Sequence, residues 1–131
     1  MLEALRQGDN MVIFPEGTTS DGRFLRPFHT SLLQPAVDHG AWVAPVAIRY
    51  VLENGEVDTA PAYCGDLTMW QSVKNILARR QIRAEVQYLT PLAAQGKTRR
   101  ELAQEIEALI STALNLPNPH KTPGTPADPP V

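Results

Sequence analysis

Residues 11–28 organise the chain, because an apolar run there stops at a proline and opens into a polar loop. The apolar half, residues 11–14, contains β-branched and aromatic residues and ends at Pro15, which is typical of a buried strand. The polar, glycine-punctuated stretch that follows predicts a surface loop. In α/β proteins, ligands are usually held by loops at the ends of buried strands. We therefore expect any functional site of this chain to lie in this loop.

The first residues of the loop are suited to binding a polar ligand. Glu16 can accept hydrogen bonds from substrate hydroxyls or pair with a cation. Gly17 allows the backbone to approach a ligand closely or to adopt a positive φ. The hydroxyls of Thr18, Thr19 and Ser20 donate and accept hydrogen bonds, and their backbone N–H groups can converge on an anion.

Two arginines follow these residues, and Arg23 and Arg26 can each neutralise a phosphate or a carboxylate. The alternative is a plain tight turn with a solvated acid and two solvated arginines. On spacing alone the plain turn is the more common outcome, since loops of this composition are frequent in proteins.

Three motifs in the same order resemble those of the glycerolipid acyltransferases, the family of 1-acylglycerol-3-phosphate acyltransferase. Residues 14–18, Phe-Pro-Glu-Gly-Thr, are similar to the family's F-P-E-G-T block. Pro27 and Phe28 resemble the segment that leads into the family's next helix. Residues 43–48, Val-Ala-Pro-Val-Ala-Ile, resemble a later strand motif. The resemblance covers residues 1–116.

The resemblance implies acyl transfer from an acyl thioester, either acyl-coenzyme A or acyl carrier protein, to a lysolipid hydroxyl. It implies no cofactor and no metal. The acceptor would be positioned by Glu16, Gly17, Thr18 and Thr19, with Arg23 as an electrostatic partner. A histidine of the family, oriented by an aspartate, would be the general base.

This chain departs from the family at two places. The family usually has an arginine after E-G-T, thought to hold the acceptor's phosphate, and that place is Thr19 here. Either Arg23 or Arg26 replaces it, or the acceptor lacks a phosphate, as lyso-ornithine lipid does.

The second departure concerns the family's catalytic motif, a histidine followed five positions on by an aspartate. None of the three histidines is followed by an aspartate at that distance, since the residues five positions after His29, His39 and His120 are Gln34, Ala44 and Thr125. Only ten residues precede the F-P-E-G-T strand. We therefore expect the chain to be the C-terminal, acceptor-binding part of an acyltransferase, nearly inactive by itself.

Composition limits the possible partners. A net charge of −2 gives no reason to expect nucleic acid binding. No run approaches the roughly 20 apolar residues of a membrane span, and no signal peptide is visible. We expect contact with the cytoplasmic side of a membrane, either peripherally or through sequence outside this chain. The single cysteine, Cys64, excludes an intrachain disulfide and is read as structural.

The predicted fold class is α/β, a sheet with flanking helices. Residues 1–116 are expected to form a partial acyltransferase domain and residues 117–131 a disordered, proline-rich tail. Strands are predicted at residues 11–14, 42–51, 57–63 and 82–89, and helices at residues 1–7, 30–39, 68–80 and 99–113, with capping at Thr68 or Asp66 and at Thr98.

Two alternatives from other classes remain open. One is a non-catalytic module that binds lipid through the E-G-T loop. The other is an assembly module, because half of an α/β domain would leave a strand edge and an apolar face uncovered and would form homo-oligomers through that face.

Overall fold

The structure is a computed structural model that describes residues 1–63 and 65–120. The helices are α1 (Leu2–Arg6), α2 (Gln34–His39), which continues a 3-10 turn at Thr30–Leu33, α3 (Met69–Leu77) and α4 (Arg99–Leu114). The strands are β1 (Trp42–Val43), β2 (Val46–Val51), β3 (Arg83–Tyr88) and β4 (Leu92–Ala93). This mixture of helices with small antiparallel sheets is consistent with the predicted α/β class. Cys64 and residues 121–131, which include most of the expected tail, lie outside the described residues.

The strands form two antiparallel pairs. In the larger pair, β2 lies against β3 with Val46 opposite Tyr88 and Val51 opposite Arg83. In the smaller pair, β1 lies against β4. The single strand predicted for residues 42–51 is therefore divided between two sheets at Pro45. Proline has no backbone N–H for the ladder, which explains the break at this residue.

The core lies between α4 and one face of β2. Its buried side chains are Leu25, Phe28, Leu33, Ala47, Ala94, Leu102, Ala103, Ile106 and Ile110. The helical spacing of apolar residues in α4 predicts a buried stripe of Leu102, Ile106, Leu109, Ile110 and Ala113, and Leu102, Ile106 and Ile110 are buried. Only one face of β2 is covered, because Ala47 and Val51 are buried whereas the alternate residues are exposed. Residues 42–51 are near-continuously apolar, which predicts a strand covered on both faces, and this expectation is wrong.

Two predicted strands do not form. Residues 11–14 are irregular, and their side chains include Val12 at 83% and Phe14 at 75% exposure. A strand needs a neighbour for its backbone groups, and no strand of the described residues pairs with this segment. In residues 57–63, only Val57 forms a bridge. The Asp58 side chain then accepts the Ala60 N–H, 3.0 Å away, and turns the chain away from the sheet.

The predicted cap at Thr98 is confirmed, and of the two candidates at the start of α3, Asp66 and Thr68, the structure has Thr68. The Thr68 hydroxyl accepts the N–H of Gln71 at the start of α3, and the Thr98 hydroxyl accepts that of Glu101 at the start of α4. The side-chain oxygens of Gln71 and Glu101 accept the backbone N–H groups of Thr68 and Thr98, which completes two capping boxes. The hydrogen bond from the Thr98 backbone lowers the pKa of Glu101. Each helix of the described residues falls short of the length and hydrophobicity that a membrane span requires.

A buried carboxylate joins three separate parts of the chain. Glu107 on α4 is only 1% exposed. One carboxylate oxygen accepts the backbone N–H of Phe28 at 2.6 Å, and the other lies 2.5 Å from Nε2 of His120. The end of the polar loop and residues 117–120 are thereby attached to the same helix.

Replacing Glu107 by alanine should destabilise the fold by about 1–3 kcal/mol, because the buried N–H of Phe28 would lose its acceptor. Glu107→Gln should cost less, since the amide oxygen can still accept this hydrogen bond. Urea denaturation gives both values. The control is Glu105→Ala on the same helix, which removes only the surface pair with Lys97 and should cost less than about 1 kcal/mol. Equal losses for Glu107→Ala and Glu105→Ala would contradict this role of Glu107.

Candidate functional site: the E-G-T loop and its groove

Two hydrogen bonds close the base of the polar loop. The carbonyl oxygen of Pro15 accepts the N–H of His29 at 2.8 Å. One carboxylate oxygen of Glu16 accepts the N–H of Arg26 at 3.0 Å. The two ends of the loop are therefore held side by side, as in compact surface loops of the Ω type.

Glu16 holds the loop together from a half-buried position. Burial raises the pKa of its carboxyl, and the hydrogen bond from the Arg26 backbone and the Arg26 charge oppose this rise. The sequence suggested that Glu16 binds substrate hydroxyls or a cation. The structure shows it bound to the loop's own backbone.

Gly17 is required by its conformation and by its neighbour. Its φ is +71°, and an added Cβ would lie 2.6 Å from Cδ2 and Nε2 of the His29 ring. Such a distance is well inside van der Waals contact. Gly17 therefore lets the imidazole of His29 pack directly on the loop backbone.

Short-range hydrogen bonds shape the tip of the loop. The Ser20 hydroxyl accepts the N–H of Gly22 at 3.3 Å, and the Asp21 carboxylate accepts that of Arg23 at 3.1 Å. Side chains that bind backbone two residues ahead stabilise turns. The prediction of a polar surface loop at these residues is confirmed.

The loop forms one wall of an open groove of about 460 Å³. The other wall comes from a distant segment, because the Thr19 hydroxyl donates a hydrogen bond to the carbonyl oxygen of Tyr63. The lining residues are Thr18, Thr19, Ser20, Asp21, Phe24, Arg26, Tyr63 and Gly65.

The predicted site residues occupy different places relative to this groove. Thr18 and Thr19 line it, whereas Glu16 and Gly17 shape the loop at its base. Arg23 is exposed and is not among the lining residues, so Arg26 is the arginine that the fold brings to the groove. Sequence reasoning missed Tyr63, which is 44 residues from its partner Thr19. No local pattern marks such a contact.

The groove presents both signs of charge. Arg26 supplies a guanidinium and Asp21 a carboxylate, beside threonine and serine hydroxyls. Its lining residues include no histidine, so the groove offers polar recognition rather than a general base of the family's type. Across residues 1–63 and 65–120, no cluster of His, Cys, Asp or Glu could hold a metal ion.

The chain matches a family model and several curated proteins. A family model described as Acyltransferase matches residues 1–49, which contain the whole loop. The chain is 36% identical over 114 residues to a lyso-ornithine lipid O-acyltransferase of Pseudomonas aeruginosa, covering 87% of this chain and 44% of that protein. It is 35% identical over 113 residues to a 1-acyl-sn-glycerol-3-phosphate acyltransferase of Neisseria gonorrhoeae, covering 86% of this chain and 44% of that protein. No solved structure matches the chain significantly.

The E-G-T loop and its groove are thus found in a chain whose relatives are acyltransferases. The chain belongs to the acyltransferase family. It spans less than half the length of these curated relatives.

Gly17→Ala should destabilise the protein more than Gly8→Ala. Both glycines have a positive φ, which should cost alanine about 1–2 kcal/mol. Only Gly17 has a neighbour in the way, since nothing lies within 4 Å of a Cβ at Gly8. The excess should disappear in a His29→Ala background, which thermal or urea denaturation can measure. An excess that persists without the imidazole would rule out this steric explanation.

Glu16→Gln should change the pH dependence of stability. The folded-state pKa of Glu16 lies above its ordinary value of 4.5, so the folded protein binds this proton more tightly than the unfolded chain. Wild-type stability therefore falls as pH rises from below 4.5 through the raised pKa, and the glutamine variant lacks this loss. The variant should gain free energy of unfolding relative to wild type between about pH 4 and pH 7 in urea titrations. A difference that stays constant over this range would contradict the raised pKa.

Proposed function

We propose that this chain forms the acceptor-binding part of a lysolipid acyltransferase of phospholipid biosynthesis. The observation that carries the proposal is the groove between the E-G-T loop and Tyr63, with hydroxyls and both charges in its walls. The relatives support it, because their names specify two lysolipid acyltransferase activities. The donor would be acyl-coenzyme A or acyl carrier protein, and the reaction would occur at the cytoplasmic surface of a membrane.

In this reaction, the lysolipid hydroxyl attacks the carbonyl carbon of the thioester. A general base takes the hydroxyl proton, the C–S bond breaks, and the thiol leaves after protonation. The groove would hold the acceptor's headgroup so that the hydroxyl meets the thioester in a fixed orientation. Positioning of this kind can lower a barrier by several kcal/mol. The family resemblance assigns the base to a histidine–aspartate pair that the present sequence does not contain at the family's spacing.

The charges of the groove favour one acceptor class. Thr19 replaces the arginine that usually follows E-G-T, and Asp21 adds a negative charge opposite to that of Arg26. A phosphate monoester would meet one guanidinium and one carboxylate, and the carboxylate repels it. An ornithine headgroup carries a carboxylate and an ammonium group, so it can pair with both side chains. We therefore propose lyso-ornithine lipid as the preferred acceptor, ahead of 1-acylglycerol-3-phosphate.

Substitutions at the two charges should separate these acceptors. Arg26→Gln should weaken binding of lyso-ornithine lipid at least tenfold, since hydrogen bonds to charged groups contribute about 1.5–3 kcal/mol. Asp21→Asn should weaken lyso-ornithine lipid but leave 1-acylglycerol-3-phosphate unchanged or tighter, because it removes a like charge. Asparagine keeps the oxygen that accepts the Arg23 N–H. Calorimetric titration below the micellar concentration of each lipid measures these affinities.

The matched control is Arg6→Gln on α1, an exposed arginine that makes only a 4.0 Å contact with Glu3. This variant should bind both lipids as the wild type does. If Arg23→Gln rather than Arg26→Gln weakens binding, the headgroup lies outside the groove. If Asp21→Asn affects both lipids equally, the groove does not discriminate between the two headgroups.

A further inference from the structure

The side of α3 that faces the protein is polar. Ser72 is buried, and Arg79 forms an ion pair with the buried Asp58, with Nη2 3.0 Å from Oδ1. Asn75 and Arg79 also line a cavity of about 560 Å³ between α3 and the loop that precedes it. The helix is therefore attached to the body through polar contacts rather than through an apolar stripe.

The opposite side of α3 is apolar and exposed. Its residues recur at helical spacing on one face, and they are Met69, Trp70, Val73, Ile76 and Leu77. Met69 is 71% exposed, Trp70 65% and Leu77 76%. A surface helix of a globular protein normally turns such a stripe toward the core. In α3 this arrangement is reversed.

A basic residue borders this apolar face, which we call the α3 face. Lys74 lies at its edge, with its ammonium 5.6 Å from the centroid of the Trp70 ring. Residues 69–83 contain four basic and no acidic side chains, although the whole chain has a net charge of −2. Of these four, Arg79 is paired with Asp58 and Arg83 lies on β3, so Lys74 on the helix and Arg80 just beyond it are the basic residues that accompany the α3 face in sequence.

We propose that α3 binds the surface of an anionic lipid bilayer. The helix would lie parallel to the membrane, with the α3 face at the boundary between headgroups and acyl chains and the basic residues among anionic headgroups. Trp70 suits this depth because tryptophan is enriched at membrane interfaces. A second copy of the chain fits the face less well. In a symmetric dimer through α3, Lys74 would approach its own copy, and residues 69–83 contain no acidic side chain to pair with it.

The position of α3 agrees with this role. Gly65, which lines the groove, precedes the first residue of α3 by four positions, so their Cα atoms are at most about 14 Å apart. A bilayer bound at α3 would therefore lie close to the groove. The inference adds a membrane contact to the proposed function but stands on α3 alone, and its test uses vesicles that contain no lysolipid.

Tryptophan fluorescence provides the test. Trp42→Phe leaves Trp70 as the only tryptophan, and Trp42 is itself exposed. Vesicles of phosphatidylglycerol and phosphatidylcholine should shift the emission of Trp70 to shorter wavelength, and brominated lipids should quench it. Vesicles of phosphatidylcholine alone should have a much smaller effect. Added salt should weaken the binding, because it screens the basic residues.

Variants of α3 should locate the contact. Leu77→Gln and Met69→Gln should each weaken vesicle binding several-fold without loss of folding, because both side chains are already exposed. Val12→Gln is the matched control, an exposed apolar residue outside α3 whose substitution should leave vesicle binding unchanged. Lys74→Gln should weaken binding to anionic vesicles about fivefold.

Three results would overturn the inference. One is an emission of Trp70 that anionic vesicles leave unchanged. Another is equal loss of vesicle binding in Val12→Gln and Leu77→Gln. The last is oligomers in lipid-free solution that Leu77→Gln dissociates, which would make the α3 face a protein–protein contact. If the protein with its native α3 fails to bind anionic vesicles but still binds lysolipid, this inference is refuted and the proposed function stands.

Discussion

The buried carboxylate of Glu107 is the interaction on which the rest of the structure depends. Taking an ionised side chain out of water is unfavourable unless it is paired and hydrogen-bonded. Glu107 meets this condition by accepting the N–H of Phe28 and pairing with His120. Because Phe28 belongs to the core and also ends the polar loop, this hydrogen bond fixes the position of the loop on α4. The partners are 79 residues apart, so the site's location is set by tertiary structure.

Residues next to Phe28 connect this anchored position to the site. His29 donates its N–H to Pro15 and packs its ring on Gly17, which explains why a residue without a side chain is needed there. Glu16 then binds the backbone of Arg26 and brings that arginine to the groove. The E-G-T motif thus has a structural role, because Glu16 and Gly17 hold the loop in its conformation. Thr18, its last residue, and Thr19, which follows it, are the residues that reach the groove.

The sequence was informative wherever the determinant is local. The caps at Thr68 and Thr98 and the buried stripe of α4 follow from short-range chemistry, and all are present. Sequence-based prediction failed where the structure of a segment depends on a partner that is distant in the sequence. Residues 11–14 have the composition of a buried strand, but no described strand pairs with them. Likewise, Arg23 and Arg26 are equivalent in the sequence. Only the fold distinguishes them, because the Arg26 N–H donates to Glu16 and Arg26 lines the groove.

Exposed apolar surface has different meanings at two places in this molecule. One face of the β2–β3 sheet exposes the opposed pairs Val46 with Tyr88 and Ile48 with Val86. These side chains follow from the alternation of a strand covered on one side, and no cluster of like charge accompanies them. The α3 face is distinguished by its reversed polarity and by Lys74, whose ammonium lies 5.6 Å from the centroid of the Trp70 ring. Hydrophobic exposure alone says little about a partner. Hydrophobic exposure combined with a bordering positive charge fits a partner that is both anionic and apolar, which is the chemistry of a lipid surface.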